Sequence, residues 1–294
     1  MAQTHQPIQM QQILDRLISL SQGALTSEHR RAIEDKLNEQ LNYTPRIAIF
    51  GKTGAGKSSL LNALFGQELS AVSDVEACTR EIQSHTFKTP RGAVTLLDCP
   101  GVAESDTRDV EYATLYRDLL ENKDGQGGVD MILWVLKGDD RAFAADLDFY
   151  QRMIRPAMDQ SLPLLFVLNQ VDKIEPFREW DTQTNTPGAK QGQNIQQKIT
   201  YVSQTFSVPP SFVVPVSASE TYGIGVLMYE MVTRLKSDRV KISLARMLND
   251  NHKTDQVRDE EKKAWWSVLD HVISAIPVVG SIWRGVKSFF RSFF

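Results

Sequence analysis

Residues 46–235 predict an α/β fold: a three-layer sandwich whose mostly parallel six-stranded sheet carries helices on both faces. Short apolar runs (Arg46–Phe50, Val94–Asp98, Leu164–Leu168 and Phe212–Val216) alternate with segments of helical spacing. The first run turns at a glycine-rich stretch and passes directly into a helix-like run, Ser59–Phe65. Polar motifs follow the other runs, where open α/β sheets place their ligand sites. The expected organisation is a central domain of residues 46–236, with helical extensions over 1–45 and 237–294.

The N-terminal extension reads as two helices. Ile13, Leu14, Leu17, Ile18 and Leu20 form one apolar stripe; Leu25, Ile33, Leu37 and Leu41 form another, with a break marked by Gly23 and Ser27. Such a pair packs on the central domain or on the C-terminal extension. Dimer formation is the alternative.

Gly51-Lys-Thr-Gly-Ala-Gly-Lys-Ser58 fits the G-x-x-x-x-G-K-[ST] pattern of a phosphate-binding loop, with a strand before it and a helix after it. This context predicts a P-loop NTPase fold. Backbone N–H groups of Gly51, Thr53, Gly54, Ala55, Gly56, Lys57, Ser58 and Ser59 and the positive helix end face a phosphate chain there. Lys57 is placed to reach the β- and γ-phosphates and Ser58 to ligate Mg²⁺.

Four further segments bear on the nucleotide. Asp98 ends the run Val94–Asp98, where a carboxylate holds Mg²⁺ through water and the Gly101 N–H meets the γ-phosphate. Asn169, Gln170 and Asp172 follow Leu164–Leu168; a carboxylate at Asp172 accepts from guanine N1–H and the 2-amino group, a donor pair adenine lacks. Ser217, Ala218 and Ser219 follow Phe212–Val216, offering a backbone N–H to guanine O6. Thr79, between the loop and Asp98, offers a second Mg²⁺ ligand.

On Gly51–Ser58, Leu60-Leu-Asn-Ala-Leu64, Val72–Arg80 and Leu133–Arg141, the chain resembles the Era- and TrmE-like branch of translation-factor-type GTPases. Within that branch it is similar to the Era-like GTPases encoded in enterobacterial prophages. The resemblance spans roughly residues 46–235. It implies GTP and GDP as ligands, Mg²⁺ as cofactor, and a switch that hydrolyses GTP, with Lys57, Thr79 and Gly101 in the catalytic roles. Two departures stand out. Gln170 replaces the family's Lys, whose stem covers the base and whose amine touches the loop, so weaker GTP binding is expected. Val102 replaces the water-orienting Gln of Ras-like proteins, and Gly54 replaces the Asn through which some Era-type proteins bind potassium. Turnover is therefore expected to be slow unless a homodimer or a protein activator assists. Arg141 offers a positive charge in cis, or a surface pair with Asp139 or Asp140; Glu104, Ser105 and Asp106 offer to position water; Arg80 offers a phosphate contact.

The net charge of −3 gives no general attraction to nucleic acid, and the Era-type RNA-binding G-x-x-G loop is missing from the C-terminal region, so nucleic acid is not an expected partner. Two cysteines, Cys78 and Cys99, flank the switch motifs; reduced thiols are expected rather than a redox latch. The Gln-rich N-terminus has no apolar signal region, and the expected location is the cytoplasm. Residues 176–192 read as a mobile polar loop beside the base site, and 241–263 as a solvated helix or linker. From Trp265 to Phe294 the chain is aromatic and apolar, with Arg284, Lys287 and Arg291 interspersed. That tail either packs on the N-terminal helices, contacts the inner face of the membrane peripherally, or meets a protein partner. Three functions follow: a GTPase switch, a self-assembling or membrane-associated GTPase of dynamin or immunity type, and a ribosome-binding GTPase.

Overall fold

The computed structural model describes Asp15 and residues 26–66, 73–77, 83–99, 109–120, 128–158 and 161–275. Helix α1 (Ser27–Leu41) begins at a reciprocal cap: the His29 amide donates to the Thr26 hydroxyl and the Thr26 amide donates to the His29 ring. Its Ile33 and Leu37 are buried. The first predicted N-terminal stripe lies outside the described residues.

Seven strands follow: β1 (Arg46–Phe50), β2 (Ser73–Ala77), β3 (Gln83–Thr89), β4 (Gly92–Asp98), β5 (Met131–Lys137), β6 (Leu164–Asn169) and β7 (Val213–Pro215). Their order in the sheet is β2-β3-β4-β1-β5-β6-β7. From β4 to β7 every neighbouring pair is parallel, while β2 and β3 form an antiparallel edge. The mostly parallel sheet is as expected. Ser73–Ala77 pairs along its whole length with Gln83–Phe87 and brings the strand count to seven.

Alternation along the strands separates two cores. Ile47, Ile49, Leu133 and Val135 face one side, with α2 (Lys57–Phe65), α6 (Ile224–Arg234) and α7 (Asp238–Met247). Ala48, Phe50, Ile132, Trp134 and Leu136 face the other, with α3 (Asp109–Leu120), α4 (Ala144–Phe149) and α5 (Ala189–Phe206). Trp134 centres the second core, stacked 5.3 Å from Phe50 and edge-on to Tyr150 at 5.6 Å. Such burial contributes about 1.5–3 kcal/mol per large apolar side chain. It makes the sheet a rigid base for the loops at its carboxyl edge.

Two sequence readings are corrected. Residues 241–263 are largely helical, one of the two readings, but not solvated: α7 packs on β4, and α8 (Asp255–Ser274) crosses α1, α6 and α7. Val240, Leu244, Met247, Val257 and Ala264 are buried there, and Arg91 in the β3–β4 turn pairs with Asp250 at 2.5 Å. Asp255, Asp259 and Lys263 of α8 are exposed, whereas Lys253 and Glu261 are largely buried. Of residues 176–192, expected as one loop, 176–188 form an ordered series of turns and 189–192 belong to α5. Asp181 caps a turn closed by bridge pairing with Thr186, and α5 already begins at Ala189, its Lys190 and Gln191 amides donating to Glu179 Oε2. Gly188 marks close packing, since a Cβ there would stand 2.7 Å from Glu179 Cβ.

The tail divides. Trp265, Val268, Leu269, Val272 and Ile273 are buried on α8, so this part is packed; residues 276–294 lie outside the described residues. Among the described residues no helix is long and apolar enough to cross a membrane.

Candidate nucleotide site

The site is assembled where β1, β4, β5 and β6 end. Gly51 follows β1 with φ +147°, and a Cβ on it would meet the Val135 carbonyl oxygen at 2.4 Å. Gly56, at φ +86°, opens α2, and its Cβ would fall 2.5 Å from Asn169 Nδ2. The chain passes these two points only as glycine. Lys57 Nζ arches back to donate to the Gly51 carbonyl at 2.6 Å, leaving Thr53, Gly54, Ser58 and Ser59 exposed and Ala55 buried.

Parallel pairing of Ile49 with Asp98 places that carboxylate beside the loop. Its oxygen stands 3.9 Å from Lys57 Nζ, and its side chain is 57% exposed. Hence an ammonium, a hydroxyl at the helix start and an open carboxylate share one mouth.

The base-side segments reach the same loop. Asn169, 1% exposed, donates from Nδ2 to the Ala55 carbonyl at 2.9 Å and accepts the Ala218 amide at Oδ1, 3.2 Å away. The Ala218 N–H, in the segment expected to offer a backbone N–H to the base, is thus directed at Asn169. Gln170, at φ +61°, donates to the Gly54 carbonyl at 2.8 Å, and its Oε1 accepts Lys173 Nζ at 2.8 Å. Asp172 Oδ1 accepts the Ser217 hydroxyl at 2.6 Å, which fixes the carboxylate's orientation.

Sequence reasoning missed three contributors. Gln191, fully buried on α5, donates to the Asp172 and Ile174 carbonyls and so braces the turn that carries Asp172. Lys173 brings a cation to Gln170, which lacks one. Lys52 pairs with the buried Asp146 at 2.7 Å. Lys52 occupies a variable position of the loop motif, Lys173 and Gln191 lie outside the motifs, and only the fold brings them to these partners. Arg141 was read either as a positive charge in cis or as a surface partner of Asp139 or Asp140. Asp139 instead pairs with Lys137 at 3.1 Å, and Arg141, which makes no ion pair among the described residues, lines a cleft with Lys52, Thr53 and Gly54. Cys99 is buried behind β4. Thr79, Arg80, Gly101, Val102, Glu104, Ser105, Asp106 and Cys78 lie outside the described residues.

A strand, a glycine loop and a helix heading a mostly parallel sheet define the class: a P-loop α/β protein. Its relatives narrow the class. The family model described as 50S ribosome-binding GTPase matches residues 46–170. The chain is similar to two uncharacterized proteins of Escherichia coli (strain K12). It is 37% identical to YfjP over 263 residues, covering 88% of this chain and 87% of YfjP. It is 37% identical to YkfA over 254 residues, covering 85% and 84%. Among solved structures, Aquifex aeolicus Era bound to GDP.AlF4- shares 23% identity with a TM-score of 0.43. That match covers 65% of this chain and 57% of the Era chain, less than two thirds of it. The chain belongs to the P-loop GTPase family that includes YfjP and YkfA.

Proposed function

We propose that this protein binds GTP and hydrolyses it slowly to GDP and phosphate, acting as a nucleotide-dependent switch. The observation that carries the reading is the convergence of base-side and phosphate-side segments: Asn169 and Gln170 hydrogen-bond the carbonyls of Ala55 and Gly54 while Ser217 orients Asp172. One bound molecule spanning Asp172 and Lys57 satisfies both halves. Asp172 selects guanine through its two donors, and the loop from Gly51 to Ser59 receives the phosphates. Domain roles follow the same division, with residues 46–236 as the nucleotide domain and the two ends as helical additions.

Mg²⁺ fits the donors present. Ser58 and the open Asp98 carboxylate are hard oxygen ligands beside Lys57, and Thr79 would complete the set. No group of three or more His, Cys, Asp or Glu side chains suited to a metal occurs among the described residues, in keeping with an ion held largely by water and phosphate. Bound Mg²⁺ neutralises charge between the phosphates. Lys57 adds positive charge at the transferred group as water attacks in line, and the Gly101 N–H meets the γ-phosphate. Its loss releases Thr79 and the Gly101 segment, the conformational output of the switch.

Equilibrium titration of the protein with GTP, GDP and ATP in Mg²⁺, followed by phosphate release, tests this reading. Selective binding of guanine nucleotides with slow turnover supports it, whereas equal affinity for ATP overturns it. A second reading, peripheral membrane contact, is now confined to residues 276–294, where Arg284, Lys287 and Arg291 lie among Trp283, Phe289 and Phe290. Cosedimentation with anionic liposomes tests it. The family model's description raises ribosome binding, for which the assay is cosedimentation with ribosomal subunits.

A further inference from the structure

The loop is tethered on two sides, and only one tether belongs to the base-reading segments. Asn169 and Gln170 hold its second half, at Gly54 and Ala55. Its first half is held by Lys52, whose Nζ stands 2.7 Å from Asp146 Oδ2 in the first turn of α4. Asp146 is 1% exposed, and its other oxygen accepts the Trp134 indole N–H at 3.4 Å. Apart from this ion pair, Oδ2 has no hydrogen-bond partner among the described residues. Among the described residues Lys52 is the ion-pair partner of this carboxylate, whose side chain is 2% exposed. A buried carboxylate stripped of its cation is strongly destabilising, whereas a third-exposed Lys52 loses little on release.

The anchor itself is rigid. Trp134 lies in the aromatic core, Phe143 before α4 is 1% exposed, and Lys198 of α5 donates to the Asp140 carbonyl while lying 4.9 Å above the Phe143 ring. Between this bracket and loop residues 52–55 runs a cleft of about 410 Å³, so the first half of the loop is not otherwise packed against α4.

From this geometry we infer that Asp146 is a positioning residue: through Lys52 it holds the first half of the phosphate loop in its binding shape and so governs how long a nucleotide stays. The inference rests on the reading of this loop as a nucleotide site. A loop already ordered loses less entropy on binding than one that must be ordered by the ligand.

The test measures release of GDP carrying a fluorescent ribose label, with melting temperature recorded in parallel. Asp146→Asn keeps an acceptor for Trp134 and removes the charge; Lys52→Met keeps the stem and removes the amine; the double variant loses both partners without burying a lone charge. Asp146→Asn and the double variant release GDP roughly tenfold faster than wild type, and equally so, as expected when charge-assisted contacts are lost. Lys52→Arg retains slow release. Release at the wild-type rate in Asp146→Asn and the double variant overturns the inference alone. So does a lowered melting temperature in Asp146→Asn with release unchanged. A wild type that does not bind labelled GDP overturns the nucleotide reading, and this inference with it.

Discussion

The Gln170 side-chain amide donates to the Gly54 carbonyl at 2.8 Å from a backbone held at φ +61°. The family's Lys at this position touches the same loop with its amine, so the substitution preserves the loop contact while removing the charge. Lys173, 2.8 Å from Gln170 Oε1, returns a cation to the neighbourhood. Gln170→Ala is expected to weaken GTP binding about 2- to 10-fold, the range of one neutral hydrogen bond. Calorimetric titration checks this, and an unchanged affinity contradicts the role given to Gln170.

Lys57→Ala is expected to abolish measurable GTP binding while leaving the melting temperature near that of wild type. The ammonium is partly exposed and its partner is the Gly51 carbonyl, so the fold loses little; the phosphates lose a charged donor. Calorimetry with retained affinity would count against Lys57.

The first part of the site was legible because glycine spacing and strand ends are sequence-local. Gly51 and Gly56 are required by Val135 and Asn169, yet their period alone marks the loop. Asp98 and Asn169 each close a readable strand, and Asp172 follows in the turn after the second. Helix α7 was hidden because Val240, Leu244 and Met247 are interleaved with Lys and Arg. On α8 a charged residue, Glu261, occupies the inward stripe between Val257 and Trp265. The segment 176–188 is a loop, as Pro187 and Gly188 signal, but the start of α5 at Ala189 was not read, and Gly188 also serves close packing on Glu179. Lys52 and Asp146 stand 94 positions apart, and no local pattern joins them.

Truncation separates the two parts of the tail. Ending the chain at residue 264 removes Trp265, Val268, Leu269, Val272 and Ile273 and bares their partners on α1, α6 and α7. At about 1.5–3 kcal/mol per buried side chain, the product is expected to aggregate or melt several degrees lower. Ending it at residue 275 retains that packing and the melting temperature, and removes any binding to anionic liposomes. Equal melting of the 264-residue truncation and wild type contradicts the packed helix.

Burial pushes the Glu261 carboxyl above its ordinary value, against the pull of Lys253 and Arg246. The folded state thus keeps this proton over a pH range in which the unfolded chain has lost it. Glu261 contributes most below the unfolded value, and its contribution falls as pH rises through the folded one. Melting temperatures of wild type and Glu261→Gln between about pH 4 and 7 measure the effect. Relative to the variant, wild type should lose stability across that window; parallel curves contradict the buried proton.

The central claim is that Asp172 reads guanine. Its carboxylate, held by the Ser217 hydroxyl at 2.6 Å, would accept from guanine N1–H and the 2-amino group; adenine lacks both donors and xanthine lacks the 2-amino group. Asp172→Asn replaces one acceptor oxygen with a donor and should move preference from GTP to XTP, with the phosphate contacts unchanged. Competition of XTP and GTP for the wild type and for Asp172→Asn, measured in the same Mg²⁺ buffer, tests this most directly. A crossing of the two preferences is the predicted result; GTP preferred equally by both proteins would contradict it.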